Sequence, residues 1–193
     1  MKKKNSYIDK EVFEAARPYI WFGLIGAFLT VINTTVATLA FGVWQGLIIS
    51  FTTPFAFIFA KLRYPRLPGA TAIYIPLIIV AFFTFNFGIP GYYKVLFLLG
   101  PIFYDFTCVI LRVGREKIQK VPLWKLILAI IFYPPGLLIG AKVAIRIWSV
   151  ELPLAESAKI AGGFMLLFWI MGSFATWFAH RIYYKYIKRE LLG

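Results

Sequence analysis

Long uncharged stretches, separated by short breaks rich in proline, glycine or basic residues, dominate the hydropathy pattern of this chain. The first stretch runs for 43 residues, from Pro18 to Ala60, without a charge. As one helix it would be about 65 Å long, about twice the roughly 30 Å thickness of a bilayer core. It must therefore fold back as two spans, and the natural break is Gly42 to Gly46, where Trp44 and Gln45 suit a membrane interface.

The same reasoning along the whole chain predicts an all-α, polytopic membrane protein, a bundle of six transmembrane helices. The predicted spans are 18–41, 45–61, 70–88, 92–113, 123–145 and 160–181. Composition agrees, since 61% of the residues are apolar and 15% are charged, whereas soluble domains are about half apolar and a quarter charged. We expect three parts: a cytoplasmic amphipathic segment at 1–17, the membrane domain at 18–181 and a cytoplasmic basic tail at 182–193.

Basic residues alternate between the two sides of that topology in a strongly uneven way. Seventeen of the 21 lysines and arginines fall on one side, namely Lys2, Lys3, Lys4, Lys10, Arg17, Lys61, Arg63, Arg66, Arg112, Arg115, Lys117, Lys120, Lys125, Arg181, Lys185, Lys188 and Arg189. Positive residues concentrate in cytoplasmic loops, so we expect both termini in the cytoplasm of a cell whose plasma membrane the chain spans. The net charge of +13 is then a topology signal with attraction to anionic membrane lipid, and we expect no nucleic-acid partner.

Asp105 is the one acidic residue inside a predicted span, seven residues before Arg112. Carboxylates within membranes are costly, and each is a candidate for function by default. Asp105 could bind a ligand or couple transport. It could equally hold helices together through a hydrogen bond or by pairing with the basic residues nearby, and we expect it to face the bundle with Arg112 or neighbouring hydroxyls as partners.

Four basic residues, Lys94, Lys142, Arg146 and Lys159, lie on the side that such residues normally avoid. Lys142 and Arg146 are four residues apart, so they share one helix face and could hold a carboxylate or phosphate arriving from outside. Tyr92, Tyr93 and Trp148 could stack on a planar ring of such a ligand. The alternative is that the two cations extend to lipid headgroups or pair with Glu151 or Glu156.

Motifs of enzymes and cofactor sites are missing from the sequence. The single Cys108 excludes an internal disulfide, and the single His180 excludes a metal site built from several histidines. There is no P-loop, no H-E-x-x-H and no G-x-S-x-G. We therefore expect neither enzymatic activity nor a bound cofactor or metal ion.

Two segments resemble the substrate-binding S components of the energy-coupling factor (ECF) transporters, which have six spans and fewer than 200 residues. KLRYPRLPGATA at 61–72 is similar to the basic turn between spans 2 and 3 in vitamin-specific members, and FGIPGYYKVLFLLGPIFYDF at 87–106 resembles their outer loop and fourth span. Gly23 and Ala27 approximate the alanine-based motif with which span 1 of that family meets its partner.

The resemblance implies a membrane-embedded subunit for vitamin uptake, coupled to a T subunit and two ATPase subunits on the cytoplasmic side. The solute would be held near the outer surface, by residues that correspond here to Asn86, Tyr92, Tyr93, Lys94, Lys142, Arg146 and Trp148. Two other functions stay open from the residues themselves. One is a small structural or assembly subunit of a larger membrane complex, and the other is a stand-alone secondary carrier with Asp105 as its proton or sodium site.

Overall fold

Helices make up the whole regular structure of the described part of this protein. A computed structural model describes residues 3–39, 43–83, 91–113, 120–147 and 154–187. The six α-helices are α1 (Lys3–Leu39), α2 (Val43–Arg63), α3 (Gly69–Phe83), α4 (Leu99–Ile110), α5 (Leu123–Ile147) and α6 (Leu154–Ile182). A 3₁₀ segment, Gly91–Leu98, leads into α4, and a π-helical turn, Tyr183–Ile187, ends α6.

Four of these helices are long and apolar enough to cross a membrane. Their apolar segments are Val12–Asn33, Gly46–Arg63, Leu123–Val143 and Ala161–Tyr186, and shorter apolar helices cover Gly69–Val80 and Val95–Ile110. The prediction of an all-helical, membrane-embedded protein is confirmed at this level, because a span needs about 20 apolar residues.

The first helix crosses the expected boundary between residues 17 and 18. It runs unbroken from Lys3 to Leu39 and contains Pro18 in its interior, so residues 3–17 continue directly into the first apolar stretch. Glu14 and Arg17 form an exposed ion pair of 3.8 Å on the same part of this helix. The second helix, α2, begins at Val43, within the expected break at 42–46.

Aromatic side chains fill the centre of the bundle. Phe57 of α2 lies 5.4 Å from Tyr133 of α5 and 5.5 Å from Tyr104 of α4, measured between ring centroids. Tyr133 in turn stacks on Phe168 of α6 at 4.7 Å. These four rings are almost completely buried, and aromatic pairs of this kind contribute about 0.5–1.5 kcal/mol beyond their buried area. They fix α2, α4, α5 and α6 around one core.

Two glycines of α5 allow the preceding helix to approach it closely. A Cβ atom on Gly136 would collide with the Leu99 carbonyl oxygen, and one on Gly140 would collide with the carbonyl of Leu96. The backbone of α5 therefore lies directly against both the 3₁₀ segment and the start of α4. Small residues permit such contact between membrane helices.

One end of the bundle collects the end of α2, the start of α3, the start of α5 and the end of α6. Phe59 of α2 meets Tyr183 edge to face at 5.9 Å, and the Val121 N–H donates a 2.9 Å hydrogen bond to the Tyr184 hydroxyl. We call this the basic end, because it carries Lys61, Arg63, Lys120 and Arg181.

At the same end, α4 stops through hydrogen bonds of the Schellman type. The Val113 N–H donates to the Cys108 carbonyl at 2.9 Å, and the Arg112 N–H donates to the Val109 carbonyl at 3.0 Å. Arg112 has a φ of 54°, the left-handed conformation that glycine usually supplies at this position. The chain therefore turns away from α4 at Arg112.

Candidate functional site

The carboxylate of Asp105 on α4 holds the beginning of α3. Its Oδ2 accepts hydrogen bonds of 2.8 Å from both the backbone N–H and the hydroxyl of Thr71, and its Oδ1 accepts a longer one of 3.4 Å from the Ala70 N–H. The first N–H groups of a helix lack partners within the helix, and the helix dipole makes that end positive. A carboxylate from a neighbouring helix thus satisfies donors that would otherwise be unpaired in an apolar interior.

The sequence places these donors at the start of a helix. Pro68 and Gly69 follow the turn that ends α2, and α3 begins at Gly69 with the Ala72 N–H donating to the Pro68 carbonyl at 3.1 Å. Proline cannot donate a backbone hydrogen bond and favours the start of a helix over its interior. The N–H groups of Ala70 and Thr71 therefore point out of the first turn towards α4.

Lys61 completes this buried cluster from α2. It is 3% exposed, and its ammonium group donates a 3.1 Å hydrogen bond to the Leu67 carbonyl in the α2–α3 turn. Its positive charge also acts favourably on the Asp105 carboxylate. A buried ammonium group is costly without a hydrogen-bond partner, and the Leu67 carbonyl supplies one, so Lys61 ties α2 to the turn before α3.

As expected from the sequence, Asp105 faces the bundle, with 6% of its surface exposed. The expected hydroxyl partner is found in Thr71, but Arg112 is not its partner. Arg112 lies beyond the end of α4, where the left-handed turn redirects the chain. The Asp105 carboxylate lies seven residues earlier on α4 and faces α3. The geometry is that of a helix-holding contact, one of the two roles that the sequence left open.

A cavity of about 340 Å³ lies beside this cluster. Thr71, Asp105, Lys61 and Arg66 contribute polar groups to its wall, and Ile102, Phe106 and Val109 of α4 contribute apolar ones. The last two apolar side chains are largely exposed on the surface of the described bundle. The cluster is therefore packed between helices on one side and reachable from the surface on the other.

The residues of the predicted outer site lie mostly outside the described part of the structure. Lys142 is exposed on α5. Asn86 and Trp148, and the side chains of Tyr92, Tyr93, Lys94 and Arg146, are not among the described positions. What the backbone establishes is that the 3₁₀ segment carrying 92–94 packs along α5, touching it at Gly140, two residues before Lys142.

The two small residues predicted to meet a partner are accessible on α1. Ala27 is exposed, and a Cβ atom added to Gly23 would have no atom within 4 Å. By contrast, Gly26 of the same helix is buried against Ile73 and Pro76 of α3. The helix thus uses one small residue for packing inside the bundle and leaves the other two on its outer surface.

Sequence reasoning missed Lys61 and Thr71 as partners of Asp105. Lys61 was counted with the basic loop residues, and Thr71 follows a Pro-Gly pair that marks a helix start. The Pro-Gly pair was the one signal for this contact in the sequence. It marks a helix start, and the first N–H groups of a helix in an apolar environment need hydrogen-bond acceptors. Among the described residues, no group of three histidine, cysteine, aspartate or glutamate side chains could hold a metal ion.

Comparisons with models of protein families, with characterised proteins and with solved structures gave no match to this chain.

Proposed function

We propose that this chain is the membrane-embedded substrate-binding subunit of an uptake transporter for a small, vitamin-like and anionic solute. The observation that carries the proposal is the close packing of the 3₁₀ segment on α5 at Gly140. This contact brings the backbone that carries Tyr92, Tyr93 and Lys94 next to the part of α5 that carries Lys142 and Arg146. Two groups of candidate residues that are about fifty positions apart in sequence thereby share one end of the bundle.

The form of the 3₁₀ segment supports the same proposal. It is eight residues long, whereas 3₁₀ helices rarely exceed three or four residues. Non-regular backbone at membrane depth is tolerated where it is buried in protein or lines a cavity. A binding site near this end of the bundle would provide such a setting.

Six spans, with both termini in the cytoplasm, form part of the proposal. The 3₁₀ segment and α4 together have a length of about 34 Å, taking about 2.0 Å and 1.5 Å per residue respectively, which is enough to cross a bilayer core. The basic end, where α2 and α6 finish, would then face the cytoplasm of the cell, as positive residues favour. Cysteine labelling at Gly42 and Ser157 should occur from outside, and at Gln119 and at Arg66, which is exposed in the α2–α3 turn, from inside; the reverse pattern would contradict the topology.

Separate ATPase subunits and a T subunit would supply the energy, because the sequence has no P-loop with which to use ATP itself. Gly23 and Ala27 support contact with such a partner, since both are accessible on α1 and small residues let another helix approach closely. In this proposal the chain is not an enzyme and carries no cofactor, and its other partners are the solute and membrane lipid.

Solute binding by a charge-deficient variant tests the proposal. Replacing Lys142 and Arg146 together by glutamine removes two charge-assisted hydrogen bonds, each worth about 1.5–3 kcal/mol in a site without water. Isothermal titration with vitamin-like carboxylates and phosphates should show at least a tenfold loss of affinity, because about 1.4 kcal/mol corresponds to one decade. Lys159→Gln, an exposed cation on α6, is the control and should bind as the parent does.

The same titration separates the competing functions. An assembly subunit would bind none of these solutes, and cations that merely extend to lipid would leave affinity unchanged in the double variant. A stand-alone carrier that uses Asp105 as its ion site is disfavoured, because that carboxylate is already engaged by Thr71 and Ala70. Solute uptake by the isolated chain in proteoliposomes under an ion gradient would nevertheless overturn the subunit proposal.

A further inference from the structure

A second cavity, of about 700 Å³, lies at the basic end between the start of α5 and the end of α6. It is far from the proposed solute site, which lies at the other end of α5. None of its nine lining residues is acidic, and three of them are cations: Lys120, Arg181 and Lys185. We call it the basic cavity.

The three cations have no carboxylate partner within the described residues. Lys120 and Arg181 instead lie near aromatic rings, with the Lys120 ammonium 5.2 Å from the centre of the Tyr184 ring and the Arg181 guanidinium 5.4 Å from that of Trp177. These contacts orient the cations without neutralising them. The cavity therefore concentrates positive charge that an anion could neutralise.

The wall of the basic cavity is fixed by hydrogen bonds from α6 to the segment that precedes α5. The Tyr184 hydroxyl accepts from the Val121 N–H at 2.9 Å, and the His180 Nε2 lies 2.8 Å from the Val121 carbonyl oxygen, the distance of a hydrogen bond in which that nitrogen donates. Both polar groups of one residue are thus held by side chains of α6. Lys120 directly precedes this anchored residue, so the fold sets the position of its backbone.

The start of α5 adds a further positive contribution. Pro122 and Leu123 line the cavity, and α5 begins at Leu123 and runs for 25 residues. The first N–H groups of a long helix lack acceptors, and its dipole places partial positive charge there. Phosphate groups bind readily at such positions. Three cations and a helix start therefore converge on one cavity.

The cavity also lies where lipid headgroups are expected. The apolar segment of α6 ends at Tyr186, and Trp177, which is 40% exposed, lines the cavity about two turns before that end. Tryptophan and tyrosine are enriched at the membrane interface, and basic pockets between helices at the cytoplasmic side bind anionic headgroups. We propose that the basic cavity binds a phosphate-bearing anion, and that its source is the headgroup of an anionic phospholipid.

Lipid titration of the purified protein in neutral detergent tests this proposal, with Trp177 as the reporter. Phosphatidylglycerol with brominated acyl chains should quench part of the tryptophan fluorescence, and Trp177→Phe should remove that part. Brominated phosphatidylcholine should quench it at least tenfold less effectively. Arg181→Gln should weaken phosphatidylglycerol binding at least fivefold, as expected from about 1 kcal/mol per basic residue at an anionic surface.

Matched variants separate a built site from general attraction between charges. Lys159→Gln removes one positive charge from the other end of the same helix and should leave binding unchanged, and Arg181→Lys should retain most of it. Both positions are exposed, so the fold should survive, which circular dichroism can verify. Equal losses in Arg181→Gln and Lys159→Gln, or equal quenching by the two lipids, would overturn the proposal.

Inorganic phosphate distinguishes the two sources of the ligand. It should displace phosphatidylglycerol only at concentrations at least a hundredfold above those of the lipid, because it lacks acyl chains to contact the apolar surface near Trp177. Displacement at equal concentrations, lost in Arg181→Gln, would show a site for soluble phosphates and would overturn the assignment to lipid.

Discussion

Replacing Asp105 by alanine removes the group that joins α4 to the start of α3. The N–H groups of Ala70 and Thr71 would then lack acceptors in a buried place, and Lys61 would keep the Leu67 carbonyl as its partner. Asp105→Asn is a milder change, because an amide oxygen can still accept from Thr71. It nevertheless leaves the positive charge of Lys61 without compensation.

The magnitude follows from the hydrogen bonds and the burial. Each hydrogen bond to a charged group contributes about 1.5–3 kcal/mol, and the Asp105 carboxylate accepts two bonds of 2.8 Å from Thr71. Because Asp105 and Lys61 are 6% and 3% exposed, little solvent screening reduces these values. From the two short hydrogen bonds we expect the free energy of unfolding to fall by about 3–5 kcal/mol in Asp105→Ala and by about half as much in Asp105→Asn.

The assay is equilibrium unfolding in mixed micelles with increasing denaturing detergent. Thr107→Val is the matched control, since Thr107 lies two residues away on α4, is buried, and bonds to the Phe103 carbonyl of its own helix. It should lose less than about 1 kcal/mol. Adding Lys61→Met to Asp105→Asn should restore part of the stability by removing the uncompensated charge. A loss in Asp105→Ala no larger than that of Thr107→Val would refute the reasoning.

Three further changes should alter stability in directions that the same unfolding assay can measure. Arg112→Gly should stabilise the protein by about 1 kcal/mol, because glycine adopts the left-handed conformation at lower cost; a loss would mean that the arginine side chain matters more than the backbone. Gly140→Ala should destabilise by about 1–3 kcal/mol through its collision with Leu96, whereas Gly23→Ala should be neutral; equal effects would contradict the packing. Tyr184→Phe should cost about 1–2 kcal/mol by leaving the Val121 N–H unpaired, with unchanged stability as the contrary result.

Hydropathy predicted where the apolar helices lie, because burial in lipid demands long apolar segments whatever the tertiary structure. The fifth span was expected from about 123, and α5 begins at Leu123, directly after Pro122. The continuous α1 was not predicted. Residues 1–17 and 18–41 were assigned to separate segments, whereas a single helix, Lys3–Leu39, runs through both and contains Pro18 in its interior.

The 3₁₀ segment could not be inferred from residue pattern. The segment Gly91–Leu98 has the same apolar character as the α-helix that follows. The two helix types differ in their backbone hydrogen bonds, since each N–H bonds to the third preceding carbonyl in a 3₁₀ helix and to the fourth in an α-helix. The segment packs closely against Gly140 of α5, about forty residues away. Local sequence does not encode such a contact.

The candidate sites show the same division between local and distant information. Asp105 could be singled out as a costly carboxylate, but its partners lie 34 and 35 residues earlier in the chain. Likewise, His180 is the single histidine of the sequence, and its contact with Val121, 59 residues away, shows that it fixes the wall of the basic cavity. Rare residue types identified both positions, and the fold determined their roles.

Positive charge at the basic end has at least two physical roles, and a count of lysines and arginines cannot separate them. Lys61 is buried and bonds to the Leu67 carbonyl, so its loss should lower the free energy of unfolding. Arg181 is exposed beside Trp177 and has no carboxylate partner among the described residues, so its loss should weaken the binding of anionic phospholipid. Both contribute equally to the predicted orientation, because the positive-inside preference depends on position along the chain and not on burial. Charge neutralised within the fold stabilises it, and charge left unneutralised at the membrane surface remains available to anions.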